Sequence, residues 1–294
     1  MKVTIFTRFW MCCVLFAASV VNSLAADRLV IIGDAVWGGW SISDGIIMSS
    51  TSNDVWKATT HLEADKGFKF LTTNDFGGLE YRAGDSDVTL AVNEATNLVS
   101  SEDNSEDKKF MVSESANYNI VCDLANKTIT VSKADYQDNA IKYNALWMVG
   151  SATSGGWSVD QGTQLSQDAT NPLVYTATTY LSTGEFKVAT NKYRAFDQDF
   201  FMRDANDDSK VVLGGDDSKW NITEAGTYDV ALNTADMTIS IVKNVPSSIS
   251  SVEAEANAPV EYFTLDGKRV NNISAKGLYI KRQGGKAVKV VVVE

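Results

Sequence analysis

The chain carries the same unit twice. Gly38-Gly39-Trp40-Ser41 recurs 117 residues later as Gly155-Gly156-Trp157-Ser158. The stretch before it repeats at the same spacing, Leu29-Val30-Ile31-Ile32-Gly33 against Leu146-Trp147-Met148-Val149-Gly150. Further matches follow in the same order. Trp56–Leu62 answers to Tyr175–Leu181, Gly67-Phe68-Lys69-Phe70 to Glu185-Phe186-Lys187-Val188, and Asn117–Val131 to Thr227–Ile241. Collinear self-similarity on this scale means a duplicated domain. The copies cover residues 27–135 and 143–243, joined by a short polar connector that leaves them close together with modest freedom.

Each copy reads as all-β. Short runs of Val, Ile, Thr, Tyr and Phe alternate with Gly, Asn, Asp and Ser turns. Trp56, Ala58, Thr60 and Leu62 fall on one face of a strand, as do Tyr175, Ala177, Thr179 and Leu181. About a hundred residues of antiparallel strands, each with one apolar face, close as two packed sheets. The fold class expected is therefore two tandem immunoglobulin-like β-sandwich domains plus a small C-terminal β module. Residues 244–258 read as a linker rich in Ser, Glu and Ala. Residues 259–294 hold three strand-like runs and a turn at Asp266-Gly267. That segment carries seven Lys and Arg against three acids, on a chain whose net charge is −11.

The acidic balance argues against nucleic acid and anionic membrane as partners. Residues 1–26 read as a secretory signal peptide, with Lys2 and Arg8 before an apolar run and small residues at Ser23, Ala25 and Ala26. Cleavage there leaves Cys122 as the remaining cysteine, in a strand-like run where it serves as a small buried hydrophobe. No lipid-anchor motif surrounds Cys13. The expectation is an exported protein.

No catalytic constellation is legible: the lone histidine, His61, faces Tyr180 in the other copy, and phosphate-loop and zinc-protease motifs are missing. The acidic stretches at 102–107, 204–208 and 216–217 lack calcium-loop spacing. The reading is no enzyme, no cofactor and no metal.

Comparison of the copies isolates candidate binding residues. Trp37 faces Ser154, Val30 faces Trp147, Trp56 faces Tyr175 and Phe110 faces Trp220. Of the tryptophans after residue 26, Trp40 and Trp157 alone correspond. Each is either a core plug or a flat ring held up for the C–H face of a sugar. Lys69 and Lys187 alternate with core residues and point away from the core. Each is either a solvated lysine guarding an edge strand or a donor to sugar hydroxyls. Asn74 and Asn191 follow that strand as turn residues or as hydroxyl ligands. Trp37 offers a second ring in the first copy, and Arg194 polar work in the second.

The repeat unit resembles the carbohydrate-binding domains of the SusE/SusF outer-membrane starch-binding proteins of Bacteroidetes. The matching residues are Leu146–Gly150, Gly155-Gly156-Trp157, Gly184-Glu185-Phe186-Lys187, Gly226-Thr227-Tyr228 and Thr238–Ile241. The resemblance implies non-catalytic binding of an α-glucan through a Trp platform and a nearby Lys, beside other glycan-uptake proteins of the outer membrane. The tail is similar to a type IX secretion C-terminal sorting domain, on Tyr262–Val270, Lys276–Ile280 and Gly285–Val290; Glu294 departs from that pattern. It implies delivery to the cell surface or release, in place of the lipid anchor of the SusE/SusF proteins. The competing reading is a structural spacer or a protein-binding adhesin with no glycan site.

Overall fold

The computed structural model describes residues 26–244 apart from Asn53, and residues 259–293 apart from Asn272, Ser274 and Gly285. The proposed signal peptide at 1–26 and the linker at 244–258 lie outside the described residues, apart from Ala26 and Asn244. The chain divides into two compact units, one ending at Lys243 and one beginning at Asn244.

The first unit contains both copies. In the first, one sheet runs Ile46–Ile47, Val30–Ile32, Lys69–Leu71, Glu80–Arg82, Val99–Ser100 in spatial order. The other runs Ser49–Ser52, Val55–Leu62, Ala116–Asp123, Thr128–Lys133, Thr96–Asn97. Alternation along each strand sends one set of side chains between the layers. Leu29, Ile31, Phe68, Phe70, Tyr118, Ile120 and Ile129 meet there in one buried core. Cys122 joins them fully buried, and burial pushes its thiol pKa well up.

The second copy repeats the two layers with one difference. Its strand Thr163–Gln167 pairs with Ala145–Val149 on one side and Val174–Leu181 on the other, so the layers join at a corner into one continuous sheet. In the first copy the matching segment splits into two strands around Met48, which is buried as Leu165 is. Each copy also bears a tyrosine corner, as immunoglobulin-like sandwiches do. Tyr118 Oη donates to Glu114 O at 2.9 Å and Tyr228 Oη to Glu224 O at 2.6 Å.

The copies are not loosely joined. Their facing sheets share a third core, in which Val30 and Ile47 of the first copy pack with Ala145, Trp147, Val149, Ala189, Phe200 and Met202 of the second. The connector is stitched down as well. Asn117 donates from Nδ2 to Tyr136 O and Asn139 O and accepts from Ile141 N, while Asn144 Nδ2 donates to Ile47 O at 2.9 Å. The modest freedom expected from a short polar connector is thereby corrected. A polar connector need not be mobile when its carbonyls meet a buried Asn, and an apolar seam excludes water between the copies.

The second unit is a four-stranded antiparallel sheet ordered Arg269–Val270, Val260–Thr264, Gly277–Gln283, Lys286–Val292. The first of the three expected strands is thus a hairpin, turned where Gly267 takes φ +84°. No described side chain of this unit is buried.

The seam makes a stability prediction. Trp147 is 3% exposed and faces the other copy. Trp147→Ala should lower the unfolding free energy by about 3–5 kcal/mol in urea denaturation, the cost of truncating a core aromatic. A loss below about 1 kcal/mol, within surface-substitution range, would show that the seam contributes little.

Candidate functional site

The glycine pair has a physical reason. A Cβ on Gly155 would sit 2.2 Å from Gln161 O, and one on Gly38 would sit 2.4 Å from Asp44 Cβ. The first glycine therefore lets the loop lie against the short 3-10 turn that follows it. The second, Gly39 or Gly156, takes φ +55° or +58°, a left-handed conformation that costs glycine little. The loop then closes through Gly150 N–H to Gly156 O at 2.8 Å, matched by Gly33 N–H to Gly39 O at 2.9 Å. The tryptophan emerges on the outside of this fixed turn. Trp157 is 38% exposed, and Trp40 is half-buried. Neither plugs a core.

Lys69 and Lys187 do point away from their cores, since Phe68, Phe70, Phe186 and Val188 take the inner face. They are not solvated edge residues. Lys69–Leu71 lies between Val30–Ile32 and Glu80–Arg82, and Gly184–Ala189 between Ala145–Val149 and Phe200–Arg203. Both lysines are buried, at 4% and 6% exposure. A buried ammonium is costly unless it is paired. Lys69 Nζ reaches Glu80 Oε2 at 2.7 Å and Asp107 Oδ1 at 2.9 Å. Lys187 Nζ reaches Asp217 Oδ1 at 2.8 Å and lies 4.1 Å from the Phe200 ring centre.

The same aspartate holds a second lysine in each copy. Lys109 Nζ sits 2.8 Å from Asp107 Oδ1 and 5.4 Å from the Trp40 ring centre. Lys219 Nζ sits 2.8 Å from Asp217 Oδ2 and 5.9 Å from the Trp157 ring centre. An exposed phenylalanine completes each cluster: Lys69 Nζ lies 5.6 Å from the Phe76 ring centre and Lys187 Nζ 5.2 Å from that of Phe196. The structure thus shows a relay of Trp, Lys, Asp, Lys and Phe built twice. Lys109, Lys219, Phe76 and Phe196 escaped the sequence reading, and Asp107 and Asp217 entered it only within acidic stretches that lack calcium-loop spacing. A signal was available, because stepping back from the matched pair Phe110 and Trp220 aligns Asp107-Lys108-Lys109 with Asp217-Ser218-Lys219.

The two clusters are not identical. Where the first copy places Glu80 and Arg82 beside the lysine, the second places Phe200 and Met202. Among the described residues Lys187 has one carboxylate partner and Lys69 has two. An ammonium has three N–H donors, so Lys187 keeps more of its capacity for a ligand.

The remaining candidates fall elsewhere. Asn191 is 3% exposed, and its Nδ2 donates across the seam to Ser43 O at 3.1 Å. Asn74 Nδ2 donates across the seam to Tyr193 O at 3.0 Å. The expectation of free amides for sugar hydroxyls is corrected for both, because the two asparagines tie the copies together. Trp37 is exposed but packs edge-on to Tyr143 at the start of the second copy, with ring centres 5.2 Å apart. Arg194 is paired with Asp197.

Trp157 and Phe196 border an open groove of about 370 Å³, lined also by Asp160, Lys192 and Tyr193. A larger hollow of about 660 Å³ lies between Trp220–Ile222 and Thr238–Lys243, away from Trp157. It marks a gap in the sandwich: the first copy carries the strand Val88–Thr89 at the matching position, paired parallel to Phe110–Met111. Among the described residues no group of acidic, His and Cys side chains could hold a metal ion, and no helix is long and apolar enough to cross a membrane.

Residues 145–240, most of the second sandwich, match the family model of SusF/SusE starch-specific carbohydrate-binding modules. This sandwich is SusE/SusF-like, and the family is one of binding modules, not of catalysts. No curated protein matches the chain. Among solved structures, SusF from Bacteroides thetaiotaomicron is similar at 13% identity and a TM-score of 0.31. The match covers 88% of this chain, which spans 57% of the SusF chain.

The relay predicts a pH dependence. Partial desolvation works to raise the pKa of Asp107, but hydrogen bonds from Lys109 and Lys69 outweigh it and hold the value at about 2. An unfolded aspartate titrates near 3.9. Stability from this pairing is therefore full above about pH 4 and is lost as pH falls toward about 2. Asp107→Asn should melt below the wild type at pH 7, with the gap closing near pH 2. A gap of constant size from pH 7 to pH 2 would contradict the pairing.

Proposed function

We propose that this chain binds a neutral polysaccharide of the starch type without cleaving it, outside the cell or at the outer-membrane surface. Trp157 serves as the platform for a sugar ring. Lys187 and Lys219, held by Asp217, supply N–H donors to the hydroxyls. The Trp40 cluster is a second, less open site. One observation carries the reading: the relay is built twice around a tryptophan that reaches solvent, while the other tryptophan positions after residue 26 exchanged or disappeared. The SusE/SusF-like second sandwich supports α-glucan as the class.

Stacking explains the geometry. A pyranose ring presents an apolar C–H face and a polar rim, and an exposed indole bordered by cations fits both. The ammonium groups are placed in advance by Asp217, so little side-chain freedom is lost on binding. Two sites held in one unit raise avidity for a polymer with no new contact. A spacer or protein adhesin would not need a buried lysine beneath an exposed ring in both copies. Export through the leader segment, a sorting function for the basic tail, and work beside other glycan-uptake proteins belong to the same proposal.

Affinity electrophoresis through amylopectin tests it. The full chain should be retarded, and Trp157→Ala should weaken binding roughly tenfold or more, the scale of an aromatic anchor. The variant's melting temperature should stay close to wild type, since the ring is partly exposed. Unchanged retardation in a Trp40→Ala, Trp157→Ala double variant would overturn the glycan assignment.

A further inference from the structure

The groove beside Trp157 is not built by the second sandwich alone. Arg28 and Asn74, both from the first copy, form part of its wall. Arg28 stands at the edge of the first copy's opening strand, and its guanidinium carbon lies 4.1 Å from the ring centre of Tyr193 in the second copy. Its Nη1 donates to Asn74 Oδ1 at 2.5 Å, and Asn74 Nδ2 donates onward to Tyr193 O at 3.0 Å. The guanidinium is thus fixed from two sides before any ligand arrives. Among the described residues it has no carboxylate within ion-pair distance. A guanidinium carries five N–H donors, and Asn74 takes one.

Duplication alone does not account for this arrangement. The position matching Arg28 in the second copy is Ala145, which is buried in the seam. Tyr193 lies in a loop that is two residues longer than its counterpart, since Ala189 to its strand partner Phe200 spans eleven positions and Leu71 to its partner Glu80 spans nine. Both partners of the stack are therefore departures from the repeat, and they meet at the exposed platform of the more open site.

We infer that the second sandwich's groove is a composite site, in which Arg28 of the first copy donates hydrogen bonds to sugar rings beyond the one stacked on Trp157. The inference rests on the glycan reading given above. It makes the pair of sandwiches, not the single module, the unit that recognises a long chain. The ligand class is a neutral oligosaccharide long enough to run from Trp157 across the seam. The hydroxyl oxygens of the distal rings accept from the fixed guanidinium, whose planar fork suits two adjacent acceptors.

Isothermal titration calorimetry on the full chain tests it, with maltose as the short probe and maltoheptaose as the long one. Arg28→Ala should weaken maltoheptaose binding roughly tenfold, the scale of a hydrogen bond to a charged donor, and leave maltose binding unchanged. Arg28→Lys keeps the charge and loses the fork, so it should lose part of the same selectivity while its melting temperature reports an intact seam. Trp157→Ala should weaken both probes. Equal binding of maltoheptaose by wild type and both Arg28 variants would overturn the composite site while leaving the glycan reading standing. Equal weakening of both probes in Arg28→Lys would reduce Arg28 to a seam clamp and overturn it too. Undiminished binding of both probes by Trp157→Ala would overturn the glycan reading itself.

Discussion

A buried ammonium ion organises the site. Lys187 leaves the sheet on the face away from its core and would meet an apolar surface of Phe196 and Phe200 with no counter-charge. Such burial is tolerated only with a carboxylate in reach. Asp217 supplies it from a distant loop, and that loop brings Lys219 with it to the side of Trp157. One electrostatic requirement thereby draws three segments of chain together: the GGW turn, the lysine strand and the acidic loop. The first copy meets the same requirement more heavily, with Glu80 and Asp107 both on Lys69. The heavier pairing leaves Lys69 with less to offer a ligand.

The seam is the second organising element. Outer faces of a sandwich usually meet water, and their strands alternate accordingly. Here Trp147, Val149, Phe200 and Met202 lie on an outer face and are still buried, because Val30 and Ile47 of the first copy cover them. Apolar cover from a sister domain removes the freedom that a polar connector suggests. It also lets Asn74, Asn191 and Arg28 reach across, so that residues of one copy shape the surroundings of the other's tryptophan loop. The duplication supplied two clusters, and the seam gave them unequal surroundings.

Much of this was legible in the chain. The repeat gave the two sandwiches, the alternation gave the faces of Phe68, Lys69 and Phe70, and the pairing of Trp40 with Trp157 picked out the ring that stays near the surface. What escaped was the context that only tertiary packing creates. Strand alternation tells which way Lys187 points and not what covers it. Asn191 looks like a turn residue in sequence, and it is one, accepting from Tyr193 N with its Oδ1. Its amide, however, serves a neighbour nearly 150 residues away, Ser43. The acidic stretches lack calcium-loop spacing, and most of their side chains are exposed. Asp107 and Asp217 are exposed too, but each also reaches a buried lysine, and their matched positions one Lys away from Phe110 and Trp220 were the overlooked sign. Arg28 carried no sequence signal at all, because its role depends on a seam between two folded copies.

The most direct test is a crystal structure of the full chain with bound maltoheptaose. The account requires a glucose ring stacked on Trp157, with hydroxyls within hydrogen-bond reach of Lys187 or Lys219 and later rings running toward Arg28. An ordered oligosaccharide that leaves Trp157 uncovered, or that lies in the open gap beside Trp220–Ile222, would contradict it.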